Sequence, residues 1–88
     1  MKTFTIKVTN MGGLTGRSSA ELVEEANHHK CNITLLLESG ESCDLKSIMN
    51  VFAMPPVLEG DVLTIQCDGE DEEKAVKGFE KLSLEYIF

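Results

Sequence analysis

The sequence predicts an α+β domain in which one sheet has its apolar face covered by helices. Three observations point there. Apolar residues recur with a period of two in four short stretches and with helical spacing in three others. The stretches follow one another as strand, helix, strand, strand, helix, strand, helix. The 88 residues hold no internal repeat, linker or low-complexity segment, and they suffice for one domain, residues 1–88, but not two.

Each element has its own signal. Phe4, Ile6 and Val8 alternate with Thr3, Thr5, Lys7 and Thr9, the mark of a half-buried strand. A glycine-rich loop, Asn10 to Gly16, follows. Ser18 or Ser19 is then a natural N-cap, with Glu21 in the first turn of a helix whose apolar residues are Ala20, Leu22, Val23 and Ala26. That helix fades at Asn27–Lys30. Ile33, Leu35 and Leu37 form the second strand, Ser39-Gly40 turns it, and Glu41 to Leu45 returns as the third. Ser47 caps a short helix from Ile48 to about Ala53, which Pro55-Pro56 ends, since proline cannot continue the ladder. Glu59-Gly60-Asp61 turns into the fourth strand, with Leu63, Ile65 and Cys67 on one face. The last helix opens on Glu70-Asp71-Glu72-Glu73, acidic at its positive dipole end, and buries Ala75, Phe79, Leu82 and Tyr86. Gly78 inside that helix is weak in propensity and expected to permit close packing on the sheet.

Composition narrows the function. An apolar content of 42% fits a folded chain. A net charge of −7, from 8 basic and 15 acidic residues, argues against direct nucleic-acid binding and suits a protein that docks on other proteins. No apolar run reaches the ~20 residues of a membrane helix, and MKTFTIKVTN reads as a strand rather than a signal peptide, so a cytoplasmic location is expected. The three cysteines, Cys31, Cys43 and Cys67, show no CxxC spacing and read as buried free thiols. His28 and His29 project about 100° apart on a helix, so they suit a solvated helix end better than a metal site. Neither a metal nor an organic cofactor is indicated.

The stretch GGLTGRSSAEL, Gly12 to Leu22, joins a turn-forming glycine pair to a helix start, as anion-binding loops do. Together with DLKSIMNV, Asp44 to Val51, GEDEEKAV, Gly69 to Val76, and the order of elements, it resembles the phosphocarrier protein HPr family of the bacterial sugar phosphotransferase system. The resemblance covers essentially the whole chain. It implies an open-faced sandwich: a four-stranded antiparallel sheet with three helices on one side. Gly13 to Arg17, GLTGR, falls where the family carries Gly-Leu-His-Ala-Arg-Pro-Ala. Thr15 therefore stands at the position of the phosphorylated histidine, Gly16 replaces the alanine and Ser18 the proline. One extra residue lies in the hairpin around Leu36 to Gly40, and another at Pro55-Pro56.

The chemistry of these positions sets the functional expectation. Imidazole passes phosphate onward because it is nucleophilic near pH 7 and its P–N bond keeps a high transfer potential. A threonine hydroxyl without an adjacent base does neither. Relay activity is therefore expected to be absent, and no enzymatic activity is expected. What remains at the helix start is an anion-friendly surface of Arg17 with Ser18 and Ser19, whose serines can equally be mere caps. By resemblance Ser47 is a regulatory phosphorylation site, and Ile48, Met49 and Phe52 beside it form a partner-binding patch. The partners implied are phosphotransferase-system enzymes, a serine kinase or a catabolite control repressor. Asn50 and Pro55-Pro56 depart from the family pattern there. The first reading is a regulatory, protein-binding HPr-like member switched at Ser47. Two others stay open: a phosphocarrier acting through a non-histidine site, and an interaction module with no phosphorylation.

Overall fold

A computed structural model describes Met1–Phe88. The elements run β1 (Lys2–Lys7), α1 (Gly16–Asn27), β2 (Asn32–Leu37), β3 (Ser42–Asp44), α2 (Ile48–Phe52), β4 (Val62–Asp68) and α3 (Glu72–Glu85). The strands form one antiparallel sheet in the order β1-β4-β2-β3. β4 is central, opposing Ile65 to Phe4 on one side and to Leu35 on the other. With a side-chain period of two, this register gathers Ile6, Ile33, Leu35, Leu63, Ile65 and Cys67 on one face, all buried. Leu22, Val23 and Ala26 of α1, Val51 of α2, and Ala75 and Phe79 of α3 close over that face. Thr3, Thr5, Thr34, Thr64 and Gln66 alternate onto the other side of the sheet. Polar and β-branched residues suit a sheet face with no helix over it.

Three expectations change in the structure. First, Thr15, not Ser18 or Ser19, caps α1: its backbone is extended (φ −93°, ψ 174°) and its side chain accepts from the Ser18 amide. Starting the helix there turns Ser18 and Ser19 inward, one and two turns before Leu22, Val23 and Ala26, and leaves Ala20 exposed. Both serines are buried, at 0% and 4% exposure. A periodicity count favours Ala20 over a serine. The cap residue sets the phase of the helix, however, and a small hydroxyl with an internal partner is tolerated inside.

Second, His29 is not solvated. Its Nε2 lies 2.6 Å from Glu25 Oε2, and its ring tilts against Phe79 with centroids 6.3 Å apart. Third, Gly78 does permit close packing, but on α1 rather than on the sheet. A Cβ there would come within 2.4 Å of Glu25 Oε2 and 2.9 Å of His29 Nε2.

The acidic opening of the last helix also works differently from a simple cap. Glu72 and Glu73 occupy the first turn, as the dipole favours. Asp71 makes no cap bond and instead reaches across to the α1–β2 connection. It accepts from the Lys30 amide at 2.9 Å and the Cys31 amide at 2.8 Å. Those bonds, the Lys30 amide first, hold the Asp71 carboxyl down at about 2. All three cysteines are free, with Cys31 and Cys67 buried and Cys43 half-buried. Burial pushes the Cys67 thiol up to about 11, and it raises Cys31 and Cys43 as well. At the other end of the chain, Phe88 is buried and its carbonyl accepts from the Asn10 amide at 2.9 Å.

Candidate functional site at the start of α1 and along α2

The loop before α1 is seated by glycine. Gly13 has φ 71°, and a Cβ there would sit 2.2 Å from the Val57 carbonyl oxygen. The next residue, Leu14, donates its amide to that same carbonyl at 3.0 Å. The loop is thereby laid against the connection between α2 and β4. Thr15 follows, exposed at the head of α1. Its Oγ1 accepts from the Ser18 amide at 3.2 Å and shares a hydrogen bond with Ser18 Oγ at 3.0 Å. The amides of Gly16 and Arg17 open the helix without intrahelical acceptors, and the Arg17 side chain is exposed beside them. The burial of Ser18 and Ser19 removes both hydroxyls from the anion-facing surface expected of them. Arg17 and two backbone amides are what that surface retains.

The chain's only two histidines, His28 and His29, lie at the other end of α1. Thirteen residues at ~1.5 Å rise put His28 about 20 Å from Thr15 along the axis. Nearly the whole length of α1 thus separates both histidines from the helix start.

Ser47 caps α2, its side chain accepting from the Asn50 amide at 3.3 Å. The turn that carries it is anchored to the C-terminal end of α1. Asn27 Nδ2 donates to the Lys46 carbonyl at 3.1 Å, and Lys46 Nζ donates to the His29 carbonyl at 2.7 Å. That anchoring makes α2 run back toward the start of α1. Val51 is its buried residue, Ile48 is half-buried against the core, and Met49 and Phe52 stand out at 74% and 57% exposure. Two large apolar side chains this exposed, side by side on one short helix, form an unsatisfied apolar surface.

The two halves meet in a trough of about 230 Å³, bordered by Leu14, Thr15 and Gly16 on one side and by Phe52, Met54 and Pro55 on the other. Thr15 and Phe52 therefore share one surface. Ser47 lies at the far end of α2, about 8 Å back along a five-residue helix. Residues 10–20 and 47–58 carry a single charged side chain, Arg17, in a chain that has 23. The surface is thus nearly neutral and apolar with one cation. Sequence reasoning missed Leu14, Met54 and the prolines as parts of it, because tertiary contacts such as the Leu14–Val57 bond bring those segments together. No cluster of three or more His, Cys, Asp or Glu side chains gathers in a metal-binding arrangement. No helix is long and apolar enough to cross a membrane.

Comparison with known proteins agrees with this architecture. Residues 2–83 match the family PTS-HPr, described as the PTS HPr component phosphorylation site. The phosphocarrier protein HPr of Mycoplasma genitalium is 33% identical over 76 residues, covering 86% of this chain and 85% of its own. That of Xylella fastidiosa strain 9a5c is 36% identical over 75 residues, covering 85% and 82%. A mycoplasma histidine-containing phosphocarrier protein superimposes with a TM-score of 0.85 at 33% identity, over 96% of this chain and 93% of that one. The Bacillus subtilis catabolite repression protein Crh, solved as a swapped dimer, superimposes at 0.70 with 28% identity, over 100% and 99%. Sequence and fold agree, and the chain belongs to the HPr family of phosphocarrier proteins of the phosphotransferase system.

Proposed function

We propose that this chain is a regulatory, protein-binding member of its family that does not relay phosphate through histidine, and that phosphorylation of Ser47 switches its docking surface. One observation carries the first half. The hydroxyl at the head of α1 belongs to Thr15 and is tied into the cap with Ser18, while both histidines lie at the opposite end of the helix. Nothing beside Thr15 is placed to act as its base, and a threonine phosphoester would not hand phosphate onward. The exposure of Met49 and Phe52 supports protein docking. The partners proposed are phosphotransferase-system enzymes, a serine kinase or a catabolite control repressor.

Support for the switch comes from charge. The surface from Ser47 to Leu58 carries no charged residue. A phosphate on Ser47 would add about −2 at its margin, next to Lys46, and so reverse what a partner meets there.

Intact mass after two incubations tests the reading, one with phosphoenolpyruvate and the first enzyme of the phosphotransferase chain, the other with ATP and the HPr serine kinase. The expected result is one phosphate from ATP alone, abolished by Ser47→Ala. An acid-labile phosphate from phosphoenolpyruvate would restore a carrier role and sink the proposal. Phosphate in neither tube would remove the switch and leave a protein-interaction module.

A further inference from the structure

Two segments far apart in sequence wall a second groove, of about 250 Å³. The turn between β2 and β3 stands on one side, and Pro55-Pro56, leading into β4, stands on the other. Leu37 and Leu63 make its floor apolar. Its rim carries Glu38, Glu41 and Asp61 and no basic residue.

Each carboxylate uses one oxygen internally. Glu38 Oε1 accepts from the Val62 amide, Asp61 Oδ2 from the Leu58 amide at 2.9 Å, and Glu41 Oε2 from the Ser39 hydroxyl at 3.3 Å. None has a cation within 4.0 Å. The ion pairs of the chain are made by the Met1 amine and Lys2. Three negative groups thus ring an apolar floor without a counter-ion. The groove is also continuous with the trough beside Thr15, since Leu37, Pro55, Pro56 and Val57 line both.

We propose that this groove receives a basic side chain, arginine above all, from a protein partner seated on the α1–α2 surface. The volume falls below the roughly 300–1,000 Å³ of small-molecule pockets and suits a single side chain. An arginine stem would lie along the prolines and leucines while its planar fork reached two of the carboxylates. Lysine, a compact and strongly hydrated charge, fits less well. Both walls are stretches read from the sequence as one residue longer than the family pattern, so the groove would give this chain a partner preference of its own. The proposal rests on the docking surface proposed above, but on neither phosphorylation.

The test is an amide chemical-shift titration of the full chain with acetyl-Val-Arg-Val-amide. The same peptide with citrulline, which keeps the shape and loses the charge, is the control. The arginine peptide is expected to give saturable shifts at Glu38, Gly40 and Val62, with affinity falling as salt rises. Citrulline should bind at least about fivefold more weakly, and so should arginine to the Glu38→Gln/Glu41→Gln/Asp61→Asn variant. Those amides keep acceptors for Val62 and Leu58. Should the triple variant not fold, Glu41→Gln alone, which faces only Ser39, gives the same comparison. Equal binding of citrulline and arginine, shifts confined to the Thr15 surface, or no saturable shift would each overturn the proposal. None of these outcomes bears on whether Ser47 or Thr15 accepts phosphate.

Discussion

Thr15→Val isolates what the threonine hydroxyl does. Valine keeps the shape of the side chain and suits the extended backbone at φ −93°, ψ 174°, so no backbone strain enters. Two bonds are lost. Removing an N-cap oxygen from the Ser18 amide costs about 1 kcal/mol. Ser18 Oγ, wholly buried, also loses its partner. A stranded buried hydroxyl costs about 1–3 kcal/mol, and the low end applies because a helical serine can turn to a carbonyl one turn back. The sum is about 2 kcal/mol. For a domain of this size that lowers the melting temperature by roughly 8–16 °C. Thr15→Ser should stay within about 0.5 kcal/mol of the wild type. Thr15→Val/Ser18→Ala should recover about half the loss, since no hydroxyl is then stranded. Thermal unfolding by circular dichroism, with urea midpoints as a check, reads all three. A Thr15→Val protein that melts with the wild type would mean the hydroxyl does not hold the helix start. It would then be free for chemistry, and the structural argument against a phosphoacceptor at this position would fail.

Three further outcomes follow from the packing. Gly78→Ala gains about 1 kcal/mol of helix propensity but drives Glu25 off His29, leaving a half-buried ring nitrogen without its partner at about 1–2 kcal/mol. The substitution should therefore be neutral to mildly destabilising alone and stabilising in a Glu25→Ala/His29→Ala background, and an equal gain in both backgrounds would refute the coupling. The Asp71 carboxyl takes its proton near pH 2 when folded and near 3.9 when unfolded, so between those values the unfolded chain binds more protons. Its contribution is whole above about pH 4 and is lost as pH falls toward 2, so the gap in urea midpoint between wild type and Asp71→Asn should close over that range; a gap independent of pH would refute it. Iodoacetamide at pH 8 should label half-buried Cys43 before Cys31 and Cys67, and early labelling of Cys67 would contradict its burial and raised thiol.

Much of this protein was legible in its sequence because the relevant signals are local. The period-two stretches around Ile6, Ile33 and Leu63 could only be strands, and Pro55-Pro56 could only end α2. Ser47 was readable as a cap for the same reason: it precedes a short apolar helix, and capping is a matter of a few bonds within one turn. GLTGR and DLKSIMNV were sufficient to indicate the family, which the relatives and the fold then showed. The exposure of Met49 and Phe52 could be expected, but not that Val51 would be the residue turned inward. Where the sequence misled, the deciding contact was long-range or set a phase. Thr15 won the cap because the Gly13 loop, pinned by the Val57 carbonyl, delivers the chain to the helix one turn earlier than the serines would. That choice buried Ser18 and Ser19 and left Arg17 as the one charged side chain of the proposed docking surface. Asp71 looked like part of an acidic helix opening, yet its partners are amides forty residues away in the chain. Glu25, His29 and Gly78 meet only because α1 and α3 lie side by side, and Glu38 faces Pro55 only because β2 pairs with β4, which sets the end of β2 beside the chain entering β4. Local periodicity carries the elements of a small fold, since the apolar face that each must bury is spaced along its own length. The sites form where elements meet, and that is decided by packing distances the one-dimensional pattern does not contain.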